Sequence, residues 1–490
     1  MSHDFAFNEA DDHFHDECGV FGIFGRQDAA AVAALGLHAL QHRGQEAAGI
    51  VSFDGTQFCV ERHVGLISDN FTKPAVIARL QGSRAIGHTR YSTTGGAGLR
   101  NVQPLFAELA DGGFAVAHNG NITNAMTVQR ELQKRGAIFS STSDTETIMH
   151  LVAMSPEREF ISRFINALHQ LEGAYSLVAL SNKKMIGCRD PLGIRPLVLG
   201  DLDGAPILAS ETCALDIIGA RFERDIEPGE VVIITEADGK PVIESRFPFR
   251  KQRSRLCIFE YVYFGRPDST IEGRNVYDAR KRIGAELARE CPVAADVIVP
   301  VPDSGVPSAI GFAQESNTPF ELGIIRNHYV GRTFIQPSDS IRHMGVKLKH
   351  NANKRVLDGK RVVLVDDSIV RGTTSQKIVQ MVRDAGAKEV HMRIASPPTM
   401  SSCYYGVDTP ETAKLLASRM SVQEMADFIK VDSLGFLSID GLYRAVDEPS
   451  RDNAQPQFCD ACFTGQYPTR LMDRDGSDNV RQLSLLAGNG

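Results

Sequence analysis

The chain has 490 residues, more than one ordinary domain of about 150 residues, so two to three domains are expected. Hydrophobic residues at 42% and charged residues at 23% are ordinary for soluble globular protein and argue against wholesale disorder. Lys and Arg number 53 against 60 acids, a balance of −7 that argues against a general nucleic-acid binder, and nine cysteines without a tight repeat do not resemble a secreted disulfide framework.

Residues 1–17 (MSHDFAFNEADDHFHDE) hold six acids, three histidines and no Lys or Arg. A secretory signal wants a basic start and an apolar stretch, and a mitochondrial presequence wants Arg without acids. Neither pattern is present. The most apolar helix candidate, Ala29 to Leu40, is shorter than the roughly 18–20 residues a membrane span needs. The expectation is a soluble cytoplasmic protein with an acidic leader, no membrane and no nucleic-acid partner.

Beyond the leader, short apolar runs alternate with glycine-rich turns. Strands are expected at Gly19 to Gly25, Ala48 to Phe53, Ala85 to Thr89, Phe114 to His118, Ala174 to Leu180, Lys184 to Arg189, Pro206 to Ser210 and Val231 to Thr235. A buried helix is expected at Ala29 to His42. Further helices follow Thr123 and Ser143, the second opened by a capping box, Ser143 to Glu146. Many strands with few helices predict an α+β domain of layered sheets. The basic stretch 245–255 reads as a linker. After it come helix Val276 to Glu290, strand Asp296 to Val301, helix Val306 to Glu315, strands Glu321 to Ile325 and Arg361 to Val365, helix Thr374 to Ala385 and strand Glu389 to Ala395. That βα alternation predicts a parallel sheet flanked by helices. From Asn453 the tail reads as polar loop, except around CDAC.

The first chemical constellation begins at Cys18. Alone, Cys-Gly at a strand start is a small core residue. Cleavage between Glu17 and Cys18 would instead put a thiol and an α-amine on one residue, and an amine of pKa near 7.7–8 accepts the thiol proton close to neutral pH. Asn119 offers a side-chain NH₂ and Gly120 a backbone N–H as two oxyanion donors. Arg90 can clamp a carboxylate and Asp144 an ammonium group, which together hold glutamine by its α-groups. The bland alternatives are a hairpin turn at Asn119-Gly120, a surface ion pair at Arg90 and a helix N-terminal charge at Asp144. In order, CGVFGIFG, QHRGQEAAGI, GHTRYST, AHNGNITN and TSDTE resemble the glutamine amidotransferase domain of the N-terminal-nucleophile family, over roughly residues 18–240. The resemblance implies an αββα-layered fold, Cys18 as nucleophile, and a leader that is a propeptide.

The second constellation is RVVLVDDSIVRGTTS, Arg361 to Ser375. Val362 to Val365 make a buried parallel strand with two acids at its C-terminal edge, where an open α/β sheet places its ligand crevice. The following Ser/Thr/Gly loop runs into a helix and suits a phosphate dianion, while adjacent carboxylates suit sugar hydroxyls or hydrated Mg²⁺. The bland reading is a buried strand with a solvated acidic turn; a rival is a phosphoacceptor Asp-Asp site. The run resembles the type I phosphoribosyltransferase signature. That implies Asp366 and Asp367 on the ribose and metal, with Ser368, Arg371, Gly372, Thr373, Thr374 and Ser375 on the 5′-phosphate of 5-phosphoribosyl-1-pyrophosphate. Val299 to Ala309 has the same strand-loop-helix grammar, with Asp303, Ser304 and Gly305 as candidates for the pyrophosphate and Mg²⁺ side. Arg326 to Pro337, with Lys347 and Lys349 beyond, resembles the family's mobile loop; its bland reading is a basic surface loop.

By itself Cys459-Asp460-Ala461-Cys462 is ambiguous among redox pair, zinc half-site and iron–sulfur half-site, with a zinc ribbon disfavoured because no second C-x-x-C exists. The spacing of Cys257 and Cys403 does not show that they converge on it. The whole chain, with EYVYFGRPDS, YVGRTFIQP and CDACFTGQYPT, resembles the amidophosphoribosyltransferase family in its propeptide-bearing class. The resemblance implies a [4Fe–4S] cluster on Cys257, Cys403, Cys459 and Cys462, with a structural or regulatory role. It also implies a homotetramer and feedback inhibition by purine nucleotides. The expected organisation is propeptide 1–17, amidotransferase domain 18–244, phosphoribosyltransferase domain 257–450 and a cluster-binding segment 451–490. Implied is glutamine-dependent formation of 5-phosphoribosylamine, glutamate and pyrophosphate. Enzymes that share the first domain, such as sugar-phosphate aminotransferases and asparagine synthetase, lack the VVLVDDSIVRGTTS run. A purine-sensing regulator would need a DNA-binding module and a missing nucleophile.

Overall fold

The computed structural model describes residues 18–91, 98–327 and 350–475. The leader, the candidate closing loop beyond Asn327, and Lys347 and Lys349 lie outside them. Two compact units result. One holds the described residues of Asp16–Cys257, Cys403–Asp408 and Tyr467–Gly490; the other holds those of Ile258–Ser402 and Thr409–Gln466.

In chain order the first unit's strands are β1 (Gly19–Phe24), β2 (Ala47–Phe53), β3 (Phe58–Val64), β4 (Arg84–Arg90), β5 (Leu105–Leu109), β6 (Gly112–Ile122), β7 (Gly173–Ser181), β8 (Met185–Arg189), β9 (Val198–Leu202), β10 (Ala205–Ala209), β11 (Arg221–Asp225), β12 (Val231–Ala237) and β13 (Lys240–Arg246). They form two antiparallel sheets, ordered β11-β9-β10-β1-β4-β2-β3 and β13-β12-β8-β7-β6-β5. Val20 and Phe24 of the first sheet and Ala115, Ala117, Val178 and Leu180 of the second share one buried cluster. Helix Ala29–Ala39 covers the outer face of the first sheet. Helices Thr145–Met154 and Phe160–Leu168 cover that of the second. Those are the expected layers: helix, sheet, sheet, helix.

The second unit has a short hairpin, β14 (Thr270–Ile271) with β15 (Arg274–Asn275), and a second ladder of β17 (Ile324–Arg326) with β18 (His350–Ala352). Its centre is a parallel sheet of β16 (Val297–Pro300), β19 (Arg361–Asp366), β20 (Glu389–Ile394) and β21 (Ser433–Phe436). Helices Val306–Ser316 and Thr373–Asp384 follow β16 and β19 directly, and β19 is buried from Val362 to Asp366. No helix among the described residues is long and apolar enough to cross a membrane.

Several expectations need correction. The strand anticipated at Glu321 to Ile325 is Ile324–Arg326 and pairs antiparallel with β18, outside the parallel sheet. No capping box forms at Ser143: Glu146 instead accepts hydrogen bonds from Ser140 and Ser141, backbone N–H and hydroxyl alike. The first helix ends at Ala39, short of His42. β13 reaches into the stretch read as linker. The tail contains helical turns at Ala461–Thr464 and Met472–Asp475.

Candidate functional site

Cys18 stands immediately before β1, whose Gly19 pairs with Thr89 of β4. Its thiol is buried and lies 3.7 Å from the Tyr91 carbonyl. Burial pushes the thiol up to about 11, with the Arg90 cation opposing and the Asp144 and Glu46 charges adding to the rise. Arg90, Asp144 and Glu46 thus all act on the sulfur electrostatically. In the chain with residue 17 still attached, that thiol stays protonated at neutral pH.

Arg90 ends β4 and is buried, donating to the Asn101 carbonyl. Asn101 in turn exchanges hydrogen bonds of 2.9 Å with Thr142 on each side of its amide. The surface-ion-pair reading of Arg90 fails on this burial. Asn101 escapes sequence reading because its signal, an asparagine three residues before a lone proline, is common.

Asn119 and Gly120 lie inside β6, paired with Ser176 and Tyr175 of β7, so they form no hairpin turn. Asn119 is fully buried, and neither its Nδ2 nor its Oδ1 has a hydrogen-bond partner among the described residues. An unpaired buried amide costs roughly 1–3 kcal/mol, and such an amide can donate to and accept from a ligand. Gly120 has φ +136°, and a Cβ there would run into the Ala174 carbonyl; no other residue fits. His88 on β4 bonds the His118 carbonyl on β6 at 3.1 Å, tying the Cys18 sheet to the Asn119 strand. Burial drops His88 to about 3, so it is neutral throughout the physiological range.

Asp144 sits at the start of helix Thr145–Met154 without capping it. Its Oδ2 accepts from the Ile122 N–H at 3.0 Å and lies 3.6 Å from His118 Nδ1. Its Oδ1 accepts from the Thr145 hydroxyl at 3.4 Å, and a carboxylate so placed suits an ammonium group.

In the second unit, β16 and β19 are parallel neighbours with Pro300 opposite Val365. Both following loops therefore leave from the same sheet edge, which brings Asp303, Ser304 and Gly305 beside Asp366, Asp367 and the 368–375 loop. Asp366 accepts from the Asp367 N–H at 3.0 Å, and Asp367 Oδ1 accepts from the Ser368 hydroxyl at 2.6 Å. Asp367 Oδ2 is buried with no partner among the described residues. A buried carboxylate oxygen with a free lone pair fits a sugar hydroxyl or a divalent cation. Gly372 caps helix Thr373–Asp384, whose first turn carries Thr374 and Ser375, both buried. Asp303 is half exposed and forms an ion pair with Arg326, a partner that sequence spacing does not disclose.

The cysteines are all free thiols. Cys257 and Cys403 belong to the first unit, Cys459 and Cys462 to the second. Cys459 and Cys462 flank the start of helix Ala461–Thr464, while Cys403 Sγ accepts from the Tyr405 N–H at 3.3 Å. Among the described residues no group of three or more His, Cys, Asp or Glu is gathered as a metal centre. Four reduced thiols are nonetheless the donor set an iron–sulfur cluster takes.

A family model described as "Glutamine amidotransferase domain" matches residues 88–216, and one described as "Phosphoribosyl transferase domain" matches residues 271–396. An amidophosphoribosyltransferase of Rhizobium etli is 61% identical over 494 residues, covering all of both chains. That of Bacillus subtilis is 47% identical, covering 96% of this chain and 98% of its own. A structure of the B. subtilis glutamine phosphoribosylpyrophosphate amidotransferase complexed with ADP and GMP superposes with TM-score 0.87 at 46% identity, over 93% of this chain and 98% of that one.

Proposed function

The chain belongs to the amidophosphoribosyltransferase family, and from that premise we propose how its own residues divide the reaction. It converts 5-phosphoribosyl-1-pyrophosphate, glutamine and water to 5-phosphoribosylamine, glutamate and pyrophosphate, at the committed step of purine synthesis.

Cleavage between Glu17 and Cys18 removes the leader and frees the Cys18 α-amine, which takes the thiol proton. The thiolate attacks the glutamine amide carbon, the amide nitrogen leaves as ammonia, and water hydrolyses the Cys18 thioester to glutamate. Arg90 holds the substrate α-carboxylate and Asp144 its ammonium. Asn119 Nδ2 and the Gly120 N–H receive the oxyanion, donors fixed in place before charge develops. The carrying observation is the Asn119 amide, fully buried with both polar atoms unpaired.

Ammonia must stay as NH₃ to keep its lone pair, and it displaces pyrophosphate at C1 of the sugar. Asp366 and Asp367 orient the ribose, the 368–375 loop (Ser368, Arg371, Gly372, Thr373, Thr374, Ser375) binds the 5′-phosphate, and Asp303, Ser304 and Gly305 face the pyrophosphate. Mg²⁺ held by Asp366, Asp367 and Ser304 would offset the pyrophosphate charge; the free Asp367 Oδ2 supports its fit. A [4Fe–4S] cluster on Cys257, Cys403, Cys459 and Cys462 would serve structure or regulation. The same reading makes the assembly a homotetramer in the cytoplasm and purine nucleotides its feedback inhibitors; the ADP and GMP in the B. subtilis structure support the last.

Glutamine and phosphoribosyl pyrophosphate together are expected to yield glutamate and pyrophosphate in equal amounts. Cys18→Ala should stop the glutamine-dependent reaction and spare synthesis from ammonia; equal loss of both would sink the two-site reading.

A further inference from the structure

The six-residue segment Cys403–Asp408 is far in sequence from the amidotransferase strands, yet it belongs to their unit. Its contacts converge on one place. Asn121 Nδ2 donates to the Tyr404 carbonyl at 2.9 Å. The Tyr405 carbonyl accepts two bonds, of 2.9 and 2.7 Å, from Nε and Nη2 of the fully buried Arg195. Arg195 is itself held, its own carbonyl accepting from Ser176 Oγ at 3.0 Å and Arg189 Nε at 2.8 Å. Ser176 is the β7 residue paired with Asn119. The Tyr405 hydroxyl meets Thr469 Oγ1 at 3.0 Å and accepts from its N–H at 3.1 Å.

The closest approach is backbone on backbone. Gly406 has φ +111°, and a Cβ there would stand 2.9 Å from both C and Cα of Gly120. Tyr404 to Gly406 thus packs against the oxyanion strand, fastened to it through Asn121 and to Arg195. Gly120 has no side chain to fix its peptide and occupies a φ outside the usual basins, so its N–H direction depends on what packs against it. A displacement of about 1 Å in a catalytic group costs on the order of 10²-fold in rate.

We propose that Tyr404–Gly406, clamped by Arg195, is a positioning strap for the glutaminase half-reaction that fixes the Gly120 oxyanion donor. It touches neither glutamine nor Cys18. The inference rests on the oxyanion role given above to Asn119 and Gly120.

The test uses the processed full-length enzyme with Gly406→Ala, and Arg195→Lys in case the first variant folds poorly. Both are expected to lower kcat for glutamine hydrolysis by about tenfold or more, with KM for glutamine within about threefold, because Arg90 and Asp144 still hold the substrate. Synthesis from ammonia should stay at the parent level. The γ-aldehyde of glutamate adds to Cys18 as a tetrahedral oxyanion, so its inhibition should weaken by the factor that kcat loses, while product glutamate binds as before. Unchanged kcat in a folded Gly406→Ala enzyme overturns the strap, as does parallel loss of ammonia-dependent synthesis or of glutamate binding. Cys18→Ala separates the two claims: if it retains glutamine hydrolysis, the reading of the site has failed, whatever the strap variants do.

Discussion

A thiol raised to about 11 by burial is a poor nucleophile, and that value belongs to a Cys18 whose nitrogen is still an amide. Neutral sulfur is the ground state below this pKa, so the thiolate fraction grows about tenfold per pH unit until pH approaches 11. Iodoacetamide labelling of Cys18 in the unprocessed chain should therefore climb steadily from pH 7 to 10. In the processed chain, with an α-amine of pKa near 8 beside the sulfur, labelling should be faster and level off near pH 8. Peptide mass spectrometry reads both rates, and equal labelling of the two forms would remove the activating role of cleavage. Asn119 makes the complementary case on the acceptor side. Asn119→Ala removes one oxyanion donor and should cut glutamine-dependent kcat by about 10²–10³-fold while leaving the KM for glutamine near its starting value. A rise in KM alone would make Asn119 a substrate-binding residue. The sequence motif names both residues. What it does not show is that Asn119 is left unpaired, because that depends on tertiary packing such as its pairing with Ser176 of β7, 57 positions away.

At the scale of elements, long buried runs are the legible ones. β19 is buried from Val362 onward, and its apolar run and acidic end can be read directly. The sequence reading omits β3, β5, β11 and β13, which lie at sheet edges where mixed polar faces obscure the alternation, and also β9 (VLGDL), which is buried inside its sheet but too short to show a period. β6 runs through Asn119-Gly120 because pairing with β7 overrides a dipeptide that favours turns in isolation. The strand read at Glu321 to Ile325 moved because its partner, β18, lies beyond a long intervening stretch that no local pattern predicts. The legible strand also carries the sharper test. Asp367→Asn keeps the shape and the Ser368 contact but removes the charge from the unpaired Oδ2. A charge-assisted hydrogen bond is worth about 1.5–3 kcal/mol, so phosphoribosyl transfer should fall about 10–100-fold with either glutamine or ammonia as nitrogen source. Loss confined to glutamine would place Asp367 outside the sugar site.

At the scale of the whole molecule, the leader and the cysteines bear on one question, which is what completes the chain. Residues 1–17 carry six acids and no bases, so their removal leaves 53 basic side chains against 54 acids and takes the formal balance from −7 to −1. If the leader is cleaved as proposed, most of the net acidity goes with it. On the proposed reading the nine cysteines divide in a similar way: Cys18 for chemistry, Cys59, Cys188, Cys213 and Cys291 for packing, and four as cluster ligands. A cluster bound as proposed by Cys257, Cys403, Cys459 and Cys462 would cross-link segments far apart in sequence. Binding energy of that kind is folding energy. Protein purified without oxygen should carry four irons and four acid-labile sulfides per chain. Cys459→Ser should remove them and lower the melting temperature. Stoichiometric zinc would reassign the four thiols, and iron retained in Cys459→Ser would exclude the C-x-x-C pair from the ligand set.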